Sequence, residues 1–506
     1  MRSERAAAVM VLGTASHVGK SVMTAALCRI FREDGIDVAP FKAQNMALNS
    51  FATRDGLEIG RAQAVQAEAA RVHATADMNP VLLKPVCDTA SQVVLNGRLF
   101  GTLTGKELYS QRSIFITAAR DAYDRLASRH ELIVLEGAGS PVEMNLKQLD
   151  YVNLAMAEYA NAKCILVADI DRGGVFAQLV GTFSLLEPDE RARFVGFIIN
   201  RFRGDPALLG NAVEDLERRT SQRCLGVVPY LRDLAIAQED SVVLDAPPRP
   251  ANEEAGLRIG AVLLPSLSNF TDFDVLASIP GVRFEYIRDA RQLLGLDVVI
   301  IPGSKSTVRD LKYLRDTGIA AGIVAHAREH RPVIGICGGF QMLGRSIDDP
   351  AAVESNERDV PGLNLLDVTT SMLRTKTTQQ ITGRFADADR FGAAEVVGYE
   401  IHVGVTRRGD VDPLLRLTRI GSRETIEDGA ISRDGRILGT YVHGIFDEPA
   451  AAIALLDYLC GICGRTPLPT DAITTRADPY ARLAAHVRQH IDVRALHEAL
   501  QSESRR

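Results

Sequence analysis

The run Val333-Ile334-Gly335-Ile336 is short, apolar and abruptly ended by Cys337-Gly338-Gly339-Phe340-Gln341-Met342-Leu343, where a helical pattern begins. A strand that is apolar throughout is one covered on both faces, which is the condition inside a parallel sheet. The same punctuation recurs along the chain. Ala6–Leu12 runs into the glycine loop Gly13-Thr14-Ala15-Ser16-His17-Val18-Gly19-Lys20-Ser21 and a helical stretch to about Arg32. Leu132–Leu135 ends in Glu136-Gly137-Ala138-Gly139, Cys164–Ala168 in Asp169-Ile170-Asp171-Arg172-Gly173-Gly174, and Phe194–Ile199 in Asn200-Arg201-Phe202-Arg203-Gly204-Asp205. Strands alternating with helices predict an α/β chain built on doubly wound parallel sheets, with ligands at the carboxyl ends of the strands.

A chain of 506 residues exceeds what a single core holds. The boundary falls at Asp245-Ala246-Pro247-Pro248-Arg249-Pro250-Ala251-Asn252-Glu253-Glu254, which reads as a linker. The expected division is residues 1–244, a linker at 245–256, a second α/β domain at 257–465 and a helical tail at 466–506. A net charge of -6 gives no support to a general nucleic-acid-binding role, and an acidic small-molecule substrate would need a local basic pocket. No apolar run approaches the roughly 18 residues of a membrane span. The seven cysteines are odd in number and scattered, and no signal peptide is apparent, so a reduced, cytoplasmic chain is expected. Cys460-Gly461-Ile462-Cys463 closes a helical stretch instead of opening one, which favours packing over redox or zinc chemistry.

Strand, glycine loop and helix at the start of the chain form a phosphate-binding loop. Backbone N–H groups around Gly13, Thr14 and Gly19 cradle phosphates, Lys20 reaches their oxygens, and the Ser21 hydroxyl can ligate Mg²⁺. Glu136, at the end of another strand, is the natural carboxylate partner for that metal. The spacing departs from the standard G-x-x-x-x-G-K-[ST] pattern, and position 14 is Thr. Ala43-Gln44-Asn45-Met46-Ala47-Leu48-Asn49-Ser50, after the next strand, clusters amides that suit an oxygen-rich ligand, although a plain surface loop reads the same way.

In the second half, a thiol at a strand-to-helix turn sits over the free N–H groups of the helix, which favour a thiolate and bind an oxyanion. The base expected for Cys337 is His443, at the end of the apolar run Leu438–Val442; His402 ranks behind it. His326 and His330 are spaced i, i+4, but without the following Glu of a zinc motif. Pro302-Gly303-Ser304-Lys305-Ser306 can offer a second backbone N–H for an oxyanion hole.

The glycine loop resembles that of the dethiobiotin-synthetase branch of P-loop proteins, which implies an adenine contact at Asn200. Cys337-Gly338-Gly339-Phe340-Gln341 with a distant strand-end histidine resembles the class I (Triad) glutamine amidotransferases. That resemblance implies that Cys337 attacks the glutamine side-chain amide, forms a thioester and releases ammonia. It makes His443 the base, brings Gln341 against the substrate, and puts Gly303 and Gly338 around the oxyanion. Most relatives carry a glutamate two residues after the histidine. Here that residue is Ile445, so the third member is absent or comes from elsewhere, Asp447 and Glu448 being the nearest carboxylates.

Over nearly its full length the chain resembles the cobyric acid synthases of cobalamin biosynthesis. The resemblance is carried by Phe41-Lys42-Ala43-Gln44-Asn45-Met46, Asp169-Ile170-Asp171-Arg172-Gly173-Gly174, Asn200-Arg201-Phe202-Arg203-Gly204, Ser268-Asn269-Phe270-Thr271-Asp272-Phe273-Asp274 and Gly398-Tyr399-Glu400-Ile401-His402. It implies ATP- and glutamine-dependent amidation of the b, d, e and g carboxylates of adenosylcobyrinic acid a,c-diamide. ATP, glutamine and the corrinoid are then substrates, Mg²⁺ assists, no tightly bound organic cofactor is needed, and a homo-oligomer is open. The sister cobyrinic acid a,c-diamide synthases share both chemistries. A P-loop ATPase switch with a degenerate amidotransferase domain is disfavoured by the intact Cys337–Gln341 run and by the lack of an extra lysine near the start of the loop.

Overall fold

The computed structural model describes residues 6–87, 89–147, 149–232, 234, 236, 256–355, 357–469 and 478–501. The expected linker lies outside them except for its last residue. The chain divides into two compact units, but not at one point in the sequence. The first takes the residues up to Ala47, then Ile59–Ile236 and the C-terminal helices; the second takes Leu48–Glu58 and the residues from Ala237 to Arg476. Two departures from the expected division follow. A short segment of the N-terminal half belongs to the second unit, and the tail belongs to the first.

The first unit is built on a six-stranded parallel sheet. Its order is Cys224–Pro229, Phe194–Phe202, Lys163–Asp169, Ala7–Gly13, Leu132–Glu136 and Val38–Phe41. The central strands are buried almost without exception, which is why they read as continuous apolar runs. Register places Val11 opposite Glu136 and Asp169 opposite Asn200, so the glycine loop and the polar strand ends share the carboxyl edge. A smaller sheet of Gln44–Met46, Val81–Cys87, Ala90–Leu95 and Arg98–Thr104 stands beside this core.

The second unit has its own six-stranded sheet: Val282–Ile287, Leu257–Val262, Val298–Ile301, Val333–Ile336, Ile437–Thr440 and Ala430–Ile431. All but the last pair are parallel. A large antiparallel sheet is inserted between Val333–Ile336 and Ile437–Thr440, dominated by the long pair Val368–Phe385 and Glu395–Arg408. The apolar run ending at His443 is not one strand. It leaves the parallel sheet at Thr440, and Val442–His443 pairs instead with Tyr399 and Glu400 of the antiparallel sheet. The break is local hydrogen bonding: the Val442 N–H donates to Thr440 Oγ1 at 3.0 Å, and the Tyr441 N–H turns toward the Asp428 carboxylate.

The C-terminal residues form two helices, Pro479–His490 and Val493–Gln501. The first packs on the Lys20–Glu33 helix, which the glycine loop opens, and the second on the strands Ala7–Gly13 and Phe194–Phe202. Arg29, nearly all buried, pairs with Asp478, and Asp34 receives Arg488 at 2.8 Å and His497 at 2.9 Å. Buried Leu483, Val487, Leu496 and Leu500 supply the apolar contact. Each such side chain contributes roughly 1.5–3 kcal/mol. Deleting residues 478–501 should therefore lower the stability of the first unit by several kcal/mol, measured as a lower urea midpoint; an unchanged midpoint would show that the helices do not brace it.

Candidate active site

At the carboxyl edge of the first sheet, Gly19 takes φ 100°, a left-handed conformation that glycine tolerates, and the helix starts at Lys20. Lys20 Nζ donates to the Ala15 carbonyl at 2.8 Å and the Gly139 carbonyl at 2.9 Å, so the ammonium is folded over the loop. The Ser21 hydroxyl donates to Glu136 Oε1 at 2.8 Å. Glu136 is buried and also receives Lys42 at 2.8 Å and the Gln66 amide. Burial alone would raise its pKa, but the Lys42 ammonium and these donors hold it below the ordinary carboxylate range. Thr14 donates to Gln178 Oε1 at 3.0 Å, and Asn200 Nδ2 donates to the Val18 carbonyl at 2.9 Å. Asn200 thus braces the loop from the end of the next strand but one in the sheet.

In the second unit Cys337 ends its strand at φ 52° and ψ -108°, a strained conformation for a residue with a Cβ. Such a turn lifts the side chain off the sheet edge, and the glycines that follow make it possible. A Cβ at Gly339 would run into the Ile301 carbonyl oxygen, and one at Gly338 would lie 2.9 Å from the Ser304 nitrogen. The first turn of the Gly338–Leu343 helix therefore packs directly on the loop after Val298–Ile301, and Gly303 of that loop lies against the His443 ring. Gln341 is buried and spans three elements: it accepts from Thr307 Oγ1 at 3.1 Å and donates to the Val403 carbonyl at 3.0 Å and to Tyr441 at 3.1 Å.

The Cys337 thiol donates to the Ile401 carbonyl at 3.6 Å, and the sulfur also acts electrostatically on the His443 imidazole. On its other side Nδ1 lies 2.7 Å from Asp272 Oδ2, while Asp272 Oδ1 accepts the Gly444 N–H at 3.1 Å. Both are almost out of contact with water, at 1% and 3% exposure. Burial by itself would push the imidazole down. The Asp272 charge and hydrogen bond, followed by those of Cys337, outweigh it and carry His443 up to about 10. A protonated imidazole beside a sulfur is the arrangement that activates a cysteine.

The carboxylate on His443 is neither Asp447 nor Glu448. Glu448 precedes the Pro449–Ile462 helix, and the Asp447 N–H closes a turn onto the Gly444 carbonyl. The third member comes instead from upstream of the cysteine, in the turn Phe270–Phe273. Sequence carried one signal for it, the dense polar run Ser268–Asp274, but no distance rule links it to His443. His402 is partly buried, 3.7 Å from Glu400, and stacked on Tyr441 with ring centroids 3.8 Å apart. His326 is buried, and burial followed by the nearby Arg331 charge pushes it down to about 4. Among the described residues no cluster of three or more His, Cys, Asp or Glu side chains could hold a metal. Burial raises both Cys460 and Cys463 to about 11. No helix among the described residues is long and apolar enough to cross a membrane.

Two family profiles divide the chain between them. The CobQ/CobB/MinD/ParA nucleotide binding domain matches residues 9–243, and the CobB/CobQ-like glutamine amidotransferase domain matches residues 258–451. Among curated proteins, the chain is 47% identical to the cobyric acid synthase of Syntrophobacter fumaroxidans, over 97% of this chain and 98% of that one. It is 48% identical to the cobyric acid synthase of Sorangium cellulosum, over 98% and 99% of the two. Its identity to the cobyric acid synthase of Dehalococcoides mccartyi strain CBDB1 is 45%, over 97% and 98%.

With His443 at about 10 in the folded chain against its ordinary 6.5, the contribution of the Asp272 pair is whole below pH 6.5 and is lost as pH rises toward 10. Asp272→Asn should drop the His443 pKa below 6.5 in an NMR titration of the ring. The same substitution should flatten the fall in unfolding free energy between pH 6.5 and 10; an unmoved titration would remove Asp272 as the cause.

Proposed function

The chain belongs to the cobyric acid synthase family, and from that premise we propose how its two units divide the reaction. It amidates the b, d, e and g carboxylates of adenosylcobyrinic acid a,c-diamide in cobalamin biosynthesis, with glutamine supplying nitrogen and ATP the driving force. The observation that carries the assignment of roles is the His443 imidazole, buried between Asp272 and the Cys337 sulfur in a chain that also holds a complete phosphate-binding loop.

Cys337 Sγ attacks the side-chain amide carbon of glutamine. The C–N bond breaks as His443 passes its proton to the leaving nitrogen, releasing ammonia and leaving a thioester. Water then gives a proton to His443 and hydrolyses the thioester to glutamate, which restores Cys337. Asp272 keeps the ring oriented and stabilises its charged form. Negative charge on the carbonyl oxygen is met by backbone N–H groups at Gly338 and the Gly303–Ser304 loop, which pack side by side. Gln341 holds that wall in place and borders the substrate.

A carboxylate resists ammonia because its leaving group is poor. In the first unit, a corrinoid carboxylate oxygen attacks the terminal phosphorus of ATP, ADP leaves, and an acyl phosphate forms. Ammonia then displaces phosphate to give the amide. The loop from Gly13 to Gly19 cradles the nucleotide phosphates, and the Lys20 ammonium turns from the Ala15 and Gly139 carbonyls to their oxygens. Asn200, which holds the loop through the Val18 carbonyl, is the proposed adenine contact. Mg²⁺ fits Ser21 and Glu136, whose hydroxyl and carboxylate oxygens are hard donors 2.8 Å apart at the loop. When bound, the ion supplies neutralisation of phosphate charge.

Purified protein given glutamine and ATP should convert the a,c-diamide to the hexaamide, read as the mass of the corrinoid product; product formed only from the unamidated corrinoid would assign the sister activity instead. Cys337→Ala should abolish glutamine-dependent amidation yet work with added ammonia. Lys20→Ala should lose amidation with either nitrogen source, by roughly a hundredfold or more, and unchanged turnover would take the loop out of the mechanism.

A further inference from the structure

The amide-rich segment after the second strand is split by the fold. Asn45, in the first unit, donates to Gln63 at 3.1 Å, whereas Leu48–Glu58 belongs to the second unit. There it meets the turn that carries Asp272. The Phe270 N–H donates to Asn49 Oδ1 at 3.2 Å, and the Ser50 N–H donates to Asn269 Oδ1 at 3.0 Å, a reciprocal pair across two segments. All four groups are sealed: Asn49 and Ser50 are 1% exposed, Asn269 3% and Phe270 5%.

The turn needs to be held. Asn269 has φ 54°, the left-handed region, and its carbonyl accepts the Asp272 N–H at 3.0 Å, which sets where the Asp272 side chain starts. From there Asp272 reaches His443 Nδ1 and the Gly444 N–H. A second line runs from the next residue but one. The Phe51 ring meets Tyr399 edge-on at 5.2 Å, and Tyr399 stacks on the His443 ring at 5.5 Å. Elsewhere the segment is tied down by Gln380, which donates to the Ala52 carbonyl at 2.9 Å, and by the ion pair of Lys376 with the buried Glu58.

We propose that Asn49 is a positioning residue for the glutaminase step, acting through the Asn269–Phe270 turn to hold Asp272 against His443. This rests on the roles proposed above for Cys337, His443 and Asp272. The thiol chemistry of the second unit is then incomplete without a segment encoded in the N-terminal half of the chain, before that unit's own parallel sheet begins at Leu257. Asn49 touches no reacting atom. Its contribution is the lifetime of one carboxylate–imidazole geometry, on which general acid–base transfer depends by roughly 10²–10⁴-fold.

The test uses the full chain. Asn49→Leu keeps the size but removes the acceptor, Asn49→Ala removes the acceptor without placing a branch against the Phe270 N–H, and Asn49→Asp retains an acceptor oxygen. Glutaminase kcat should fall at least tenfold in the Leu and Ala variants and recover in Asn49→Asp. The glutamine KM should change little, and the His443 ring titration should move down. The ratio of ammonia-supported to glutamine-supported amidation should rise by the same factor. An equal loss with both nitrogen sources, or an unmoved kcat and titration, overturns the proposal. Asp272→Asn is assayed alongside: if it leaves glutaminase kcat unchanged, the reading of the His443 pair fails and this inference with it, whereas a loss in Asp272→Asn with none at Asn49 refutes the positioning role alone.

Discussion

Parallel strands in a doubly wound sheet all stop at one edge, and both sites of this chain follow from that constraint. Each strand that ends there hands the chain to a helix whose first N–H groups have no partner within the helix. In the first unit that edge gathers the loop from Gly13, Glu136, Asp169 and Asn200. In the second it gathers Cys337 and the loop from Pro302. Close backbone packing completes the edge. Gly338 and Gly339 let the helix after Cys337 rest on the adjoining loop, where any side chain would force the two apart.

The edge alone does not make a catalytic group. His443 comes from a different sheet, because the chain leaves the parallel sheet at Thr440 and pairs two residues later with Tyr399 and Glu400. That step turns the imidazole toward the thiol and away from water. Burying an ionised ring is costly unless a charge is paired with it and its hydrogen bonds are met, and Asp272 supplies both. The direction of the His443 shift is the outcome of that contest, with the carboxylate and the sulfur prevailing over desolvation.

Much of this was legible in the residues. Ala7–Gly13 and Val333–Ile336 announce themselves as strands because both faces are covered, and Gly19-Lys20-Ser21 and Cys337-Gly338-Gly339 because phosphate and oxyanion chemistry need bare backbone beside one reactive side chain. Strand ends and their motifs are local, so a short window suffices to read them. Asp272 was not legible in the same way. It precedes His443 by most of a domain, and nothing in its own neighbours says which ring it will meet. The C-terminal helices misled for a related reason: their pattern shows that they are amphipathic, but not that they pack on the Lys20–Glu33 helix and the strands of the first unit.

Local sequence therefore determined the fold class and marked Cys337 and Lys20 as the candidates for the two chemistries, since each rests on neighbouring residues and their spacing. Tertiary structure alone decided which carboxylate serves His443, that His443 sits on the antiparallel sheet, and that Asn49 and Ser50 clamp the turn bearing Asp272. Those are pairings between segments far apart in the chain. Buried hydrogen bonds and charges must find partners wherever the fold brings them, and no periodicity in the sequence encodes that distance.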